Sequence, residues 1–134
     1  MFWYIEEGVM GALTDAAAKG NPDEVRRLIG AGSPVNEITD FGLTPLHFAC
    51  ASGYIEIIKD LIQAGGDVNA RAGNDATPLH AVVLKGSLEG VKILVDSGAD
   101  LNATDDLGNT PFQLAVLKGN EDIIAYFRSI GVTV

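Results

Sequence analysis

A hexapeptide that returns at a fixed interval constrains this chain more than any other feature of it. Thr44-Pro45-Leu46-His47-Phe48-Ala49 recurs as Thr77-Pro78-Leu79-His80-Ala81-Val82 and again as Thr110-Pro111-Phe112-Gln113-Leu114-Ala115, each copy starting 33 residues after the last. A period of this length marks a supersecondary unit that cannot bury its apolar face alone and must stack on its neighbours. The hexapeptide reads as a helix start. Thr suits the N-cap, since its hydroxyl accepts an orphan backbone N–H of the first turn, an interaction worth about 1 kcal/mol. Pro follows at the first helical position, where its missing N–H is not needed. Leu46, Leu79 and Phe112 then point into the stack, with Ala49, Val82 and Ala115 one turn on.

Two glycine ladders share the period. Gly20, Gly53, Gly86 and Gly119 form one, and Gly32, Gly65, Gly98 and Gly131 the other. The first is expected in the turn between two helices and the second just past the second helix, where positive φ is common. Four repeats follow, at about 7–39, 40–72, 73–105 and 106–134, in one domain over 1–134 with residues 1–6 as an N-terminal extension. Repeat one lacks the Thr-Pro pair: Gly11-Ala12-Leu13-Thr14 keeps only the Leu. Asn21-Pro22-Asp23 starts its second helix, whose inner face is Val25, Leu28 and Ile29. The equivalents are Ile58, Leu61 and Ile62, then Val91, Leu94 and Val95, then Ile124, Phe127 and Arg128. Arg128 and Glu24 (which stands where repeat two has Ile57) suggest polar outer faces, as soluble capping repeats require. Gly90 stands where the neighbours carry Ile57 and Ile123. Since Gly inside a helix costs about 1 kcal/mol against Ala, Gly90→Ala is expected to raise the melting temperature.

In hexapeptide and period, residues 11–134 resemble the ankyrin repeat family. The resemblance implies an all-α ankyrin-repeat solenoid of helix-turn-helix units with β-hairpin-like finger loops. It also implies that His47 and His80 hydrogen-bond back to the Thr of their own motif; Gln113 departs from this pattern, its polar side chain a partial substitute. Asp67-Val68-Asn69-Ala70 and Asp100-Leu101-Asn102-Ala103, with Pro34-Val35-Asn36-Glu37 as an altered first copy, would lead into the fingers. Gly42 and Gly108 would close them, with Asp75 at the same place in repeat three. Asp is one of the few non-glycine residues tolerated at φ > 0.

Composition narrows function. Lys plus Arg total 9 against 18 Asp plus Glu, for a net charge of −9. That balance argues against nucleic acid or an anionic membrane as partner and weakly favours a basic one. No apolar run approaches the roughly 18 residues of a spanning helix. A single cysteine, Cys50, excludes an intrachain disulfide and fits a reducing compartment, so a cytoplasmic location is expected. The aromatic cluster Phe2, Trp3, Tyr4 is read as a cap over the first repeat, or else as a docking element. Two histidines 33 apart and one cysteine make no closed zinc site, and no cofactor motif is present. His47 and Cys50 share a helix, but His47 belongs to the motif, and Cys50 stands where the family carries a buried Ala. No enzymatic activity is assigned.

The resemblance implies docking of another protein on the finger tips and on the concave face of the first helices, by a monomeric scaffold or adaptor. Mapped onto this sequence, the partner-binding candidates are Phe41, Leu43, Arg71, Asn74, Leu84, Lys85, Leu107, Asn109 and Lys118. Phe41, Leu43 and Leu107 are large apolar residues at positions the scaffold does not need buried, packing against neighbouring fingers being the alternative. Lys19, Lys85 and Lys118 would form a basic lane bordered by Asp40, Asp75, Asp105 and Asp106. The rival readings are an inhibitory module acting on an enzyme, and a substrate of an asparaginyl hydroxylase at Asn69 or Asn102.

Overall fold

The computed structural model describes residues 11–133, as eight helices in four antiparallel pairs. The pairs are α1 (Ala12–Lys19) with α2 (Pro22–Gly30), α3 (Pro45–Ser52) with α4 (Ile55–Gln63), α5 (Pro78–Lys85) with α6 (Leu88–Asp96), and α7 (Pro111–Lys118) with α8 (Glu121–Ser129). First helices pack in the series α1, α3, α5, α7 and second helices in the series α2, α4, α6, α8. One continuous core runs through the stack, from Leu13 and Val25 through Leu46, Ile58, Leu79 and Leu94 to Phe112 and Phe127. Arg128 is exposed and lies 5.9 Å over the Phe112 ring, so the last pair carries a cation on aromatic surface that a further pair would cover. The aromatic cluster Phe2, Trp3, Tyr4 lies outside the described residues.

The hexapeptide does what its residues dictate and one thing more. Thr44 Oγ1 accepts from the His47 backbone N–H at 3.3 Å, while the Thr44 N–H donates to His47 Nδ1 at 3.1 Å. Nδ1 is therefore unprotonated and Nε2 carries the hydrogen, which it donates to Ala76 O of the next repeat at 2.9 Å. His80 repeats the arrangement with Thr77 and reaches Asn109 O at 2.9 Å. Each histidine thus caps its own helix and bolts its repeat to the following one. Gln113 completes the cap alone, its Oε1 accepting the Thr110 N–H at 2.8 Å.

Repeat one is capped differently. Gly11 at the α1 N-cap offers no side chain. Instead Glu37 reaches back and accepts from the Thr14 N–H at 3.0 Å and from the Thr14 hydroxyl at 2.6 Å. Glu37 stands where the later repeats have Ala70 and Ala103, so the altered first copy is a cap supplied from outside the helix.

No strand is assigned among the described residues. The finger loops are tight turns, each closed by two backbone bonds: Thr39 N–H to Leu43 O with Gly42 N–H to Thr39 O, Ala72 N–H to Ala76 O with Asp75 N–H to Ala72 O, and Asp105 N–H to Asn109 O with Gly108 N–H to Asp105 O. Their positive-φ corner is Gly42, Asp75 (φ 62°) and Gly108. One expectation, at Gly90, is corrected. This glycine is buried, and Val82 Cγ2 fills the space where an alanine Cβ would stand. Val82 is itself fully buried and β-branched, with one strongly preferred rotamer in a helix, so it cannot swing aside cheaply. Gly90→Ala is therefore expected to lower the melting temperature, not raise it.

Candidate protein-interaction surface

The fingers are held as a row. Gly73 N–H donates to Phe41 O at 2.8 Å, and Asp106 N–H donates to Asn74 O at 2.9 Å. Within the tips, Asp105 Oδ1 accepts from Leu107 and Asn109 N–H groups, and Asn74 Oδ1 accepts from Ala76 N–H. The loops behind them are stitched too. Asn69 Nδ2 donates to Gly98 O while its Oδ1 accepts from Asp100 N–H at 2.7 Å. Asn36 does the same to Gly65 O and Asp67 N–H. Asn69 is thus tied through both ends of its amide, whereas the Asn102 side chain makes no matching bond to the following repeat among the described residues.

Between the finger row and the exposed sides of α3, α5 and α7 lies an open cavity of about 800 Å³. It brings together six of the sequence candidates: Leu43, Asn74, Leu84, Lys85, Leu107 and Asn109. Phe41 lines a separate hollow of about 260 Å³, which shares Leu43 and Asn74 with the larger one. Leu107, Phe41 and Leu84 are 81%, 77% and 51% exposed, so none is consumed by packing between fingers. Leu43 is half-buried.

The remaining candidates fall elsewhere. Arg71 is engaged, donating to Thr104 O at 2.7 Å and lying 3.9 Å from Asp75. Lys118 lines neither hollow, and Lys19 pairs with Asp15 at 3.0 Å. Of the basic lane only Lys85 borders the cavity, its aliphatic stem lying over Gly53. The floor residues Phe48, Ala81 and Leu114 were missed by the sequence reading. Their signal was available, because each sits three residues before an exposed first-helix residue, Ala51, Leu84 or Leu117, and so shares its helix face.

Reactive side chains are held shut. Cys50 is fully buried, and burial pushes its thiol far above the ordinary range. His47 is hydrogen-bonded at both ring nitrogens, so the two form no nucleophile pair. Among the described residues no cluster of three or more His, Cys, Asp or Glu is arranged to hold a metal ion, and no helix is long and apolar enough to cross a membrane.

A family model described as ankyrin repeats, in three copies, matches residues 13–105 and again residues 61–133. The chain is a member of the ankyrin-repeat family. Ankyrin repeats generally mediate binding to other proteins and are typically non-catalytic. A comparison with curated proteins finds no match.

Proposed function

We propose that this ankyrin-repeat chain is a non-catalytic, monomeric interaction module that seats a segment of another protein between its finger row and the faces of α3, α5 and α7. The supporting observation is that Leu84 and Leu107 stand exposed on the walls of the same cavity of about 800 Å³. Large apolar side chains left open on a rigid frame are what an interaction patch consists of. The bonds from finger to finger, and from His47 and His80 to the next repeat, fix that frame before docking. Little conformational entropy is then lost on binding. A net charge of −9 disfavours nucleic acid and anionic membrane as alternatives.

Photo-cross-linking tests the reading. A benzophenone amino acid at Leu84 should trap a protein from the lysate of the host, and the same group at Lys59, exposed on the outer helix α4, should not. Equal trapping at both positions, or none at Leu84, would remove the groove from the site.

A further inference from the structure

We propose that the segment bound in this groove is an extended one with a cationic side chain at each end and a large apolar side chain between. This rests on the groove's being the interaction surface and adds the chemistry of what it receives. The three finger tips read Asp40-Phe41-Gly42, Gly73-Asn74-Asp75 and Asp106-Leu107-Gly108. The outer tips carry an acid followed by a large apolar residue; the middle one carries Gly and Asn at those places. The row therefore has a notch at Gly73-Asn74, and the backbone bonds on either side of it fix its width.

The notch is a passage for a chain. Asn74 at its base has its Oδ1 occupied by Ala76 N–H, while its amide NH2 donates to no described residue and is exposed for a backbone carbonyl. Behind it, Phe48, Ala81, Leu84 and Leu107 offer an apolar floor and walls for one large side chain.

Charge decides what stands at the ends. Among the described residues, Asp40 and Asp106 have no cation within ion-pairing distance. Arg71, on the same side, is spent on Thr104 O and Asp75. Lys85 is the one cation bordering the cavity, against Asp105 and Asp106. An acidic segment would meet unpaired like charges at both tips, inside a chain of net charge −9. The acids lie two repeats apart. With neighbouring first helices about 10 Å apart, that is roughly 20 Å, or about six residues of extended chain.

Fluorescence anisotropy with a labelled arginine–leucine–arginine peptide, its cations about six residues apart, tests the proposal beside glutamate–leucine–glutamate and arginine–serine–arginine counterparts. The first peptide should bind the parent protein, with an affinity that falls as salt rises. Asp40→Asn with Asp106→Asn, and separately Leu84→Ser with Leu107→Ser, should each weaken it at least about tenfold, a loss of about 1.4 kcal/mol. These side chains are exposed and carry no hydrogen bond among the described residues, so both variants should melt like the parent. Equal binding of the serine peptide would reduce the effect to bulk charge and overturn the inference. Preferential binding of the glutamate peptide, lost in the leucine variant, would overturn the cationic assignment while leaving the groove as the interaction surface. Binding of no peptide would also overturn it, and the cross-linker at Leu84 then reports whether the surface reading survives.

Discussion

Val82 Cγ2 occupies the volume that a side chain on Gly90 would need. The neighbouring repeats solve the same contact the other way round, with Ala49 opposite Ile57 and Ala115 opposite Ile123, all four buried. The first-helix residue is small where the second-helix residue is large, and repeat three exchanges the two sizes. Gly90 is thus the consequence of Val82, and its conformational cost is coupled to a packing gain.

Gly90→Ala is accordingly expected to destabilise by about 1–3 kcal/mol through overpacking, and Val82→Ala by a similar amount through a cavity. The double variant Val82→Ala, Gly90→Ala should be more stable than the sum of the two losses predicts. Urea denaturation of the four proteins gives the coupling energy directly. Simple additivity would show that Val82 rotates away and that the two residues are independent.

Glu37 supplies a cap that α1 lacks in its own sequence. Glu37→Ala should leave the buried Thr14 hydroxyl and the first-turn N–H without their partner, at a cost of roughly 1–3 kcal/mol. Thr14→Val in the Glu37→Ala background should recover part of that loss, because it removes the orphaned hydroxyl. Thermal melts followed by circular dichroism measure both. A Glu37→Ala protein that melts with the parent would mean that water replaces the carboxylate.

How much of this was legible in advance follows from the range of each interaction. The capping Thr, the Pro after it and the positive-φ glycines are local, and residues such as Thr44, Gly53 and Gly65 take the conformations their chemistry favours. Asp75 took the left-handed conformation expected of it for the same reason. The Val82–Gly90 exchange was hidden because it depends on the packing of α5 on α6, where a propensity scale sees only a glycine in a helix. The outer nitrogen of His47 was hidden because its partner, Ala76 O, lies 29 residues away in the next repeat. The groove was half visible. Leu84 and Leu107 are conspicuous at exposed positions, whereas Phe48 and Leu114 lie within the motif and were given no role of their own.

Asn69 and Asn102 look identical in sequence and differ in structure. Asn69 joins repeat two to repeat three through Gly98 O and Asp100 N–H, whereas the Asn102 side chain makes no such bond to repeat four among the described residues. Asn69→Ala should cost about 1–2 kcal/mol; Asn102→Ala should stay within about 0.5 kcal/mol of the parent. Hydrogen exchange at the Asp100 amide should rise in the first variant alone. Equal effects of the two substitutions would assign both residues to their own loops and not to the joint between repeats.

The double duty of His47 makes the stack pH-sensitive in a defined direction. Burial lowers the pKa of the ring below the ordinary imidazole value, outweighing the Ala76 and Ala70 carbonyls and the Asp67 carboxylate, which pull it up; His80 adds a little in the lowering direction. A protonated ring would also lose the bond that Nδ1 accepts from Thr44 N–H. The unfolded chain therefore takes up the proton first as pH falls. The contribution of His47 is complete above its unfolded pKa of about 6.5 and is lost progressively as pH drops from there towards the lower folded value. His47→Gln should keep the cap, as Gln113 does at Thr110, and lose only the bond to Ala76 O. It should then cost about 1 kcal/mol at pH 7 while making stability less steep between about pH 6.5 and pH 5. Urea midpoints across that range, compared with those of the parent, measure the slope. An unchanged slope would mean that His47 does not carry the pH dependence of stability.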